Sequence, residues 1–409
     1  MPHSFILVIN CGSSSVKFAL YDTQSSSPFE PLKLLSEGIA ELLNENKANI
    51  TIKYDSKKRS IPTNLNDGPN SFHSVCLQHI ISELNQIFSL KDYLLGIGHR
   101  VVHGGNVFSK SVLISDNVIR QIKACSELAP LHNPANLIGI ETLKHQFPET
   151  KQTAIFDTAF HQSIPKHAYT YAIPKQWSEQ YQIRRYGFHG TSHRFVAQQA
   201  AKHLRKDLKE ISIITAHLGN GASVTAIRNG KSVDTSMGMT PLEGLVMGTR
   251  SGDIDPGIFD YLVSKGINPH EINLTLNKKS GLLGISQISH DMRTLCNELE
   301  HNQDAKLALD VFCFRAAKYI AAMSTSLDKL DALIFTGGIG ENSSLVREKI
   351  ISHLVILGFE LDIPLNTQPN TTGSTAIPIN THSSRPILII PTDEEAMIVS
   401  DTLDLIQSK

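Results

Sequence analysis

The chain has 409 residues, of which 41% are hydrophobic and 19% charged, with a formal net charge of −1. That length exceeds one ordinary core and predicts two domains. The balanced charge gives no overall basic field, so neither nucleic acid nor a membrane surface is an expected partner and binding charge must be local.

The opening apolar run, residues 5–9, lacks a basic leader and reads as a strand, not a signal segment. No stretch reaches the roughly twenty apolar residues of a membrane-spanning helix. The five cysteines (Cys11, Cys76, Cys125, Cys296 and Cys313) are scattered and form no C-x-x-C pair, which fits a reducing cytoplasm.

From that first strand the chain turns through Gly12-Ser13-Ser14-Ser15 and leaves as a second strand ending near Asp22. Such a turn can cradle phosphate. Gly12 lets the backbone approach an anion, Ser13 and Ser15 offer hydroxyl and amide donors, and Lys17 adds positive charge. Serine-rich turns also simply close hairpins. Residues 23–31 and 44–70 read as variable connections around short strands.

Residues 77–88 have helical apolar spacing, and residues 94–102 return to a buried strand that delivers Arg100 and His103 at its end. A further apolar strand from Thr153 ends in Asp157, and the domain boundary is placed just after it. The first domain is then residues 1–157 with 391–409, and the second 158–390.

Residues 192–203 and 305–327 read as amphipathic helices. Between them the opening plan returns as a strand, the turn His217-Leu218-Gly219-Asn220-Gly221, and another strand. Residues 330–335 form a strand feeding Gly337-Gly338-Ile339-Gly340-Glu341-Asn342, residues 387–390 a last strand, and residues 393–406 a closing helix that returns to the first domain. Two copies of one hairpin plan, each heading half of the chain, predict an α/β fold of two duplicated domains with a nucleotide cleft between them.

The glycines from Gly337 to Gly340 sit between strand and helix, where free amides and the helix dipole favour phosphate or adenosine, or where a bare turn suffices. No G-x-x-x-x-G-K-[ST] run exists, and no G-x-G-x-x-G opens a βα unit. Arg100 and Arg250 lie in glycine-flanked loops beside apolar sequence. An anionic ligand there would satisfy their forked donors, so they read as a clamp.

His132, His189 and His217 are candidate donors to phosphoryl oxygens. His189 and His193 have i, i+4 spacing, but no third ligand completes a zinc set nearby. Asp157 and Glu394 suit either helix capping or the hard oxygen ligation that magnesium on nucleotide phosphates prefers, and Glu394 is the metal candidate.

With these residues assembled, the whole chain resembles the acetokinase family. The decisive motifs are Val8-Ile9-Asn10-Cys11-Gly12-Ser13-Ser14-Ser15-Val16-Lys17 and Gly98-His99-Arg100-Val101-Val102-His103-Gly104-Gly105. Segments around Pro130–Pro134, Phe156–His161, Gly187–Gly190, His217–Gly219, Gly248–Asp253 and Gly337–Asn342 concur.

The resemblance implies two ribonuclease-H-like domains closing on ATP/ADP and Mg2+ (or Mn2+), a homodimer, and reversible transfer of the ATP γ-phosphate to acetate, giving acetyl phosphate and ADP. It implies that Asn10, Arg100, Asp157 and Glu394 surround the metal and phosphoryl path, with Asn10 and Glu394 on the metal. His132, His189 and Arg250 would stabilise transferred charge.

Val102, Leu131, Phe188 and Pro241 would form the apolar pocket for the acyl methyl, and Asp291, Met292 and Arg293 the adenosine segment. Met292 stands where the family pattern implies phenylalanine. Propionate or another short-chain carboxylate is the alternative acceptor. A sugar or polyol kinase, or an actin-like or chaperone-like ATPase, are the rivals on the same fold.

Overall fold

A computed structural model describes residues 4–24, 32–44, 46–65, 71–369 and 375–408. The chain separates into two compact units, Met1–Ala159 with Asp393–Lys409, and Phe160–Thr392. Each crossing falls two residues beyond the boundary expected from the sequence.

In the first unit, β1 (Phe5–Cys11) and β2 (Ser15–Asp22) form the expected hairpin, with Asn10 opposite Lys17. β1 is buried on both faces, as its unbroken apolar run requires of a central strand. β3 (Lys33–Asn44), β4 (Lys47–Tyr54) and β5 (Lys57–Asn64) extend an antiparallel meander, so the short strands within the stretch 44–70 are two eight-residue members of the sheet. Ala48, Ile50 and Ile52 alternate with polar residues and point into the core, a period-two signal. Residues 25–31 and 66–70 lie outside the described residues.

β6 (Leu94–Val101), β7 (Val112–Leu113) and β8 (Lys151–Phe156) complete the sheet among the described residues, in the order β5-β4-β3-β2-β1-β6-β8-β7. β1, β6 and β8 are parallel, so the ends carrying Asn10, Arg100 and Asp157 come out on one edge of the sheet. The helix Glu394–Gln407, capped by Asp393, packs on these three strands. A Cβ on Gly96 would stand 2.2 Å from Ile406 Cδ1, and one on Gly98 2.4 Å from Ile398 Cγ2. The two glycines therefore set how closely the helix approaches. Burial of Ile398 and Val399 there contributes roughly 2 kcal/mol each.

In the second unit, β9 (Ser212–Leu218) and β10 (Ala222–Arg228) repeat the hairpin, with His217 opposite Ser223. β11 (Lys231–Thr235), β12 (Ala332–Thr336), β13 (Ile377–Pro378) and β14 (Ile387–Ile389) give the order β11-β10-β9-β12-β14-β13. The run β11-β10-β9-β12-β14 has the plan of β3-β2-β1-β6-β8: an antiparallel three-strand meander, then two strands parallel to its first member.

The helix Gly190–Leu204 covers one face of this sheet. Gln303–Met323 replaces the longer helix expected over 305–327, because the chain tightens into a 3-10 turn at Ser324–Ser326. Among the described residues no helix is long and apolar enough to cross a membrane.

Candidate active site

In the first unit, β6 hands Arg100 to Asp157, which follows β8. The pair is bidentate: Arg100 Nε donates to Asp157 Oδ1 at 2.9 Å and Nη2 to Oδ2 at 2.6 Å. Glu394, in the first turn of the closing helix, places Oε2 4.0 Å from Arg100 Nε. Burial opposes the Arg100 charge, yet the facing carboxylates of Asp157 and Glu394 hold its pKa above the ordinary arginine value. Arg100 Nη1 takes no partner among the described residues.

Burial also pushes the Glu394 carboxyl up, opposed by Arg100 and by Lys17, which stands opposite Asn10 on β2. Arg100, Asp157, Glu394 and Lys17 thus form one charged cluster. Ser13 is exposed, and Ser15 accepts the Gly12 N–H through its carbonyl at 2.7 Å, so the first turn is shaped by its own backbone.

Two asparagines brace these strand ends, Asn133 from the concurring segment Pro130–Pro134 and Asn136, which carried no sequence signal. Asn136 Oδ1 accepts from Val102 N at 3.1 Å while its Nδ2 donates to Cys11 O at 2.7 Å. Asn133 bonds both backbone groups of His103. Both stand at the start of the helix Asn133–Gln146, immediately after Leu131 and His132. Leu131 is 58% exposed and Val102 only 9%.

In the second unit, His189 precedes the helix Gly190–Leu204 with a left-handed backbone, φ 56°. That conformation is costly for a side chain bearing a Cβ and recurs at functional positions. Its ring stacks on His217 of β9, with centroids 4.4 Å apart. Arg250 joins them across Gly221: a Cβ there would stand 2.8 Å from Arg250 Nη2 and 3.3 Å from His189 Nε2. The glycine keeps this corner open.

Arg250 Nη1 donates to Pro241 O at 2.6 Å, and no carboxylate pairs with Arg250 among the described residues. Burial brings its pKa down to about 10, so the group is still charged at neutral pH. The loop that carries it is tied down by Arg185, which donates to Thr235 O and Ser236 O and pairs with Glu243 at 2.6 Å. The Phe188 ring is 2% exposed and its carbonyl is bonded to His161 Nε2 at 2.8 Å.

The other side of the second hairpin turn opens on a cleft of about 810 Å³ lined by Gly219, Asn220, Asp291, Met292, Arg293, Gly338, Ile339 and Asn342. Cys296, Asn297 and Ser343–Leu345, which the sequence reading did not single out, complete it. The size suits a nucleoside phosphate.

Asp291 caps the helix Met292–Asn297, and its hydrogen bond from Arg293 holds its carboxyl down to about 2. Gly338 has no atom within 4 Å of a built Cβ and faces open space. Gly337 does structural work instead: a Cβ on it, where φ is 75°, would meet Leu218 O at 2.8 Å, whereas one on Gly340 would make only ordinary contact, 3.5 Å from the Phe335 carbonyl carbon.

Across residues 5–400 the chain matches the model of the acetokinase family. It is 49% identical to an acetate kinase of Chromobacterium violaceum over 98% of this chain and 98% of that protein. It is 48% identical to a protein of Neisseria meningitidis serogroup B named acetate kinase 2, over 99% of each. Among solved structures, the acetate kinase of Porphyromonas gingivalis is similar with a TM-score of 0.90 at 38% identity, over 99% of this chain and 100% of that one. A propionate kinase of Francisella tularensis is similar with a TM-score of 0.89 at 45% identity, over 98% and 100%.

Proposed function

Because the chain belongs to the acetokinase family, we infer that it transfers the γ-phosphoryl group of ATP reversibly to acetate, giving acetyl phosphate and ADP. The observation that carries this reading is Arg250, a buried cation without a carboxylate partner among the described residues, set beside His189 at a glycine turn. An unpaired buried guanidinium is costly, and a phosphoryl oxygen relieves that cost.

An acetate-like acceptor has a carboxyl pKa near the ~4 of a side-chain carboxyl, so it is an anion at neutral pH and needs no general base. Its obstacle is repulsion from the triphosphate. Arginines and histidines that meet the charge spreading over the moving phosphoryl group answer that need. Asp157 aims Arg100 and leaves its Nη1 for an acyl oxygen, while His189, His132 and Arg250 serve the phosphoryl oxygens. Val102 and Leu131 of the first unit are proposed acyl-side residues, as are Phe188 and Pro241 of the second. The 810 Å³ cleft holds the adenosine, with Met292 in its lining where the resemblance implies phenylalanine.

The oxygen donors Asn10 and Glu394 fit Mg2+ held chiefly by nucleotide phosphates and waters, and among the described residues no cluster of three His, Cys, Asp or Glu offers a protein cage. When bound, the ion neutralises phosphate charge.

The acceptor series tests the reading directly. Acetate should give the highest kcat/KM, propionate should fall by about 10- to 100-fold for one methylene, butyrate further, and glycerol should give no product in a hydroxamate and ADP-release assay. Glycerol turnover without acyl phosphate would make it a polyol kinase. Equal or better propionate turnover would favour the alternative suggested by the Francisella relative.

We propose also that the chain works as a homodimer in the cytoplasm. The helix Gly257–Ser264 buries none of its residues, and Ile258 and Tyr261, three apart on one side, are 41% and 61% exposed. A second copy covering them would remove an apolar patch from water. Light scattering should give twice the chain mass, and Tyr261→Glu should halve it; a monomeric native chain ends this part. All five cysteines are free thiols, in keeping with a reducing compartment.

A further inference from the structure

Four buried polar groups behind His189 form a directed chain. His189 Nδ1 lies 2.9 Å from Ser223 Oγ, Ser223 Oγ lies 2.8 Å from His193 Nε2, and His193 Nδ1 lies 2.7 Å from Thr215 Oγ1. Thr215 Oγ1 in turn donates to the backbone carbonyl of Thr225 at 3.4 Å. A carbonyl can only accept, and a hydroxyl has one proton to give. With the Thr215 proton on Thr225 O, Thr215 Oγ1 accepts from His193 Nδ1–H. Burial, with His161 and His217 close by, keeps His193 neutral, so its Nε2 carries a lone pair. Ser223 therefore donates to His193 and can only accept from His189 Nδ1–H.

Arg250 gives the same answer independently. His189 Nε2 and Arg250 Nη2 converge on the position a Cβ at residue 221 would take, 3.3 and 2.8 Å away. A cation without a carboxylate partner favours a lone pair, not an N–H, on the ring atom turned towards it. The stacked His217 is wired the opposite way. Thr392 Oγ1 donates to Ser192 Oγ at 2.8 Å, so Ser192 gives its own proton to His217 Nδ1 at 2.8 Å and His217 carries its proton on Nε2.

We propose that Ser223 and His193 are positioning residues that pin neutral His189 as its Nδ1–H tautomer, so that its Nε2 donates to a phosphoryl oxygen only after taking up a proton. Ser192 and Thr392 pin His217 as a neutral Nε2–H donor. The second half of this rests on the reading of the His189 corner as the phosphoryl site. Facing His189 are Arg250 from the loop 248–252, His217 from β9 and His193 from its own helix. With a cation nearby, the proton comes from solvent when an oxyanion arrives and returns when it leaves.

The test is nitrogen NMR on the full chain labelled with 15N-histidine, His189 being assigned by its loss in His189→Gln. Above the His189 titration, the unliganded protein should show a protonated Nδ1 and a lone-pair Nε2; a protonated Nε2 in the neutral ring overturns the wiring. Adding inorganic phosphate with ADP at constant pH should protonate Nε2. If the tautomer holds and phosphate leaves Nε2 unprotonated, the proton uptake and the phosphoryl reading of His189 fail while the wiring stands. Ser223→Ala should shift the tautomer ratio about tenfold towards Nε2–H, the worth of one hydrogen bond, and flatten the alkaline fall of kcat/KM. A merely structural Ser223 would alter Tm and leave both readouts in place.

Discussion

Arg250→Met is expected to lower kcat by about 10³-fold or more, in the range of arginines and oxyanion donors that meet transferring phosphoryl groups, and to leave Tm within a few degrees of the native value. Two opposing effects set the stability. The substitution removes a buried charge whose pKa burial has brought down to about 10, a sign that the folded state holds it at a cost. It also removes one hydrogen bond, from Nη1 to Pro241 O, worth about 1 kcal/mol. Neither effect is large enough to unfold a chain of this size.

Arg347 is the control that separates function from burial. Burial brings its pKa down to about 10 as well, and it too has no carboxylate among its partners. Each of its three nitrogens, however, is hydrogen-bonded within the protein: Nε and Nη2 donate to Asn366, and Nη1 to the carbonyls of Gly340 and Glu341, at 2.8–2.9 Å. Arg347→Met should therefore melt several degrees lower, since it strands three carbonyls and an amide oxygen. Differential scanning calorimetry and steady-state kinetics on both variants decide the matter. A loss of kcat below tenfold for Arg250→Met would remove the residue from the phosphoryl path.

The parts of the fold that could be read from sequence are those whose signal is local. β1 and β9 are unbroken apolar runs ending in glycine turns, and each pairs with the segment that follows at once. The closing helix and the strand ends bearing Arg100 and Asp157 were equally plain. β5 was harder to see because it is an edge strand whose residues, Lys57, Lys58 and Arg59 among them, are mostly exposed, as edges that resist further pairing are.

What the sequence hid in the site are contacts between distant residues. Asn136 meets Cys11 across 125 positions and Thr392 meets Ser192 across 200. No periodicity or spacing encodes such pairs. Ser223 was invisible for a further reason: on its strand it is one small hydroxyl among several, and only its place between two histidine rings gives it a role.

The two carboxylates beside Arg100 should respond to neutralisation with opposite signs. Asp157→Asn breaks a bidentate pair in which the aspartate side chain is 2% exposed, and it leaves the guanidinium with Glu394 at 4.0 Å as its remaining carboxylate. Breaking one side of such a pair typically costs about 3 kcal/mol. Glu394 differs because burial raises its carboxyl pKa, helped by Asp157 and opposed by Arg100.

A carboxyl whose pKa is raised on folding binds its proton more tightly in the native state. The stability this gives is present below the unfolded value and is lost as pH rises through the folded one. At pH 7.5, well above the unfolded value, Glu394 therefore costs stability. Glu394→Gln should be more stable than the native chain there, with the gap closing as pH falls to about 4, near the ordinary glutamate value.

Urea unfolding at pH 7.5 and pH 4 measures both variants, and both should turn over slowly, so stability and not rate distinguishes them. Destabilisation by Glu394→Gln at pH 7.5 would make Glu394 a second structural partner of Arg100. The expected gain makes it a charge held against the fold's own interest, which is what a carboxylate kept for a hydrated cation on a nucleotide requires.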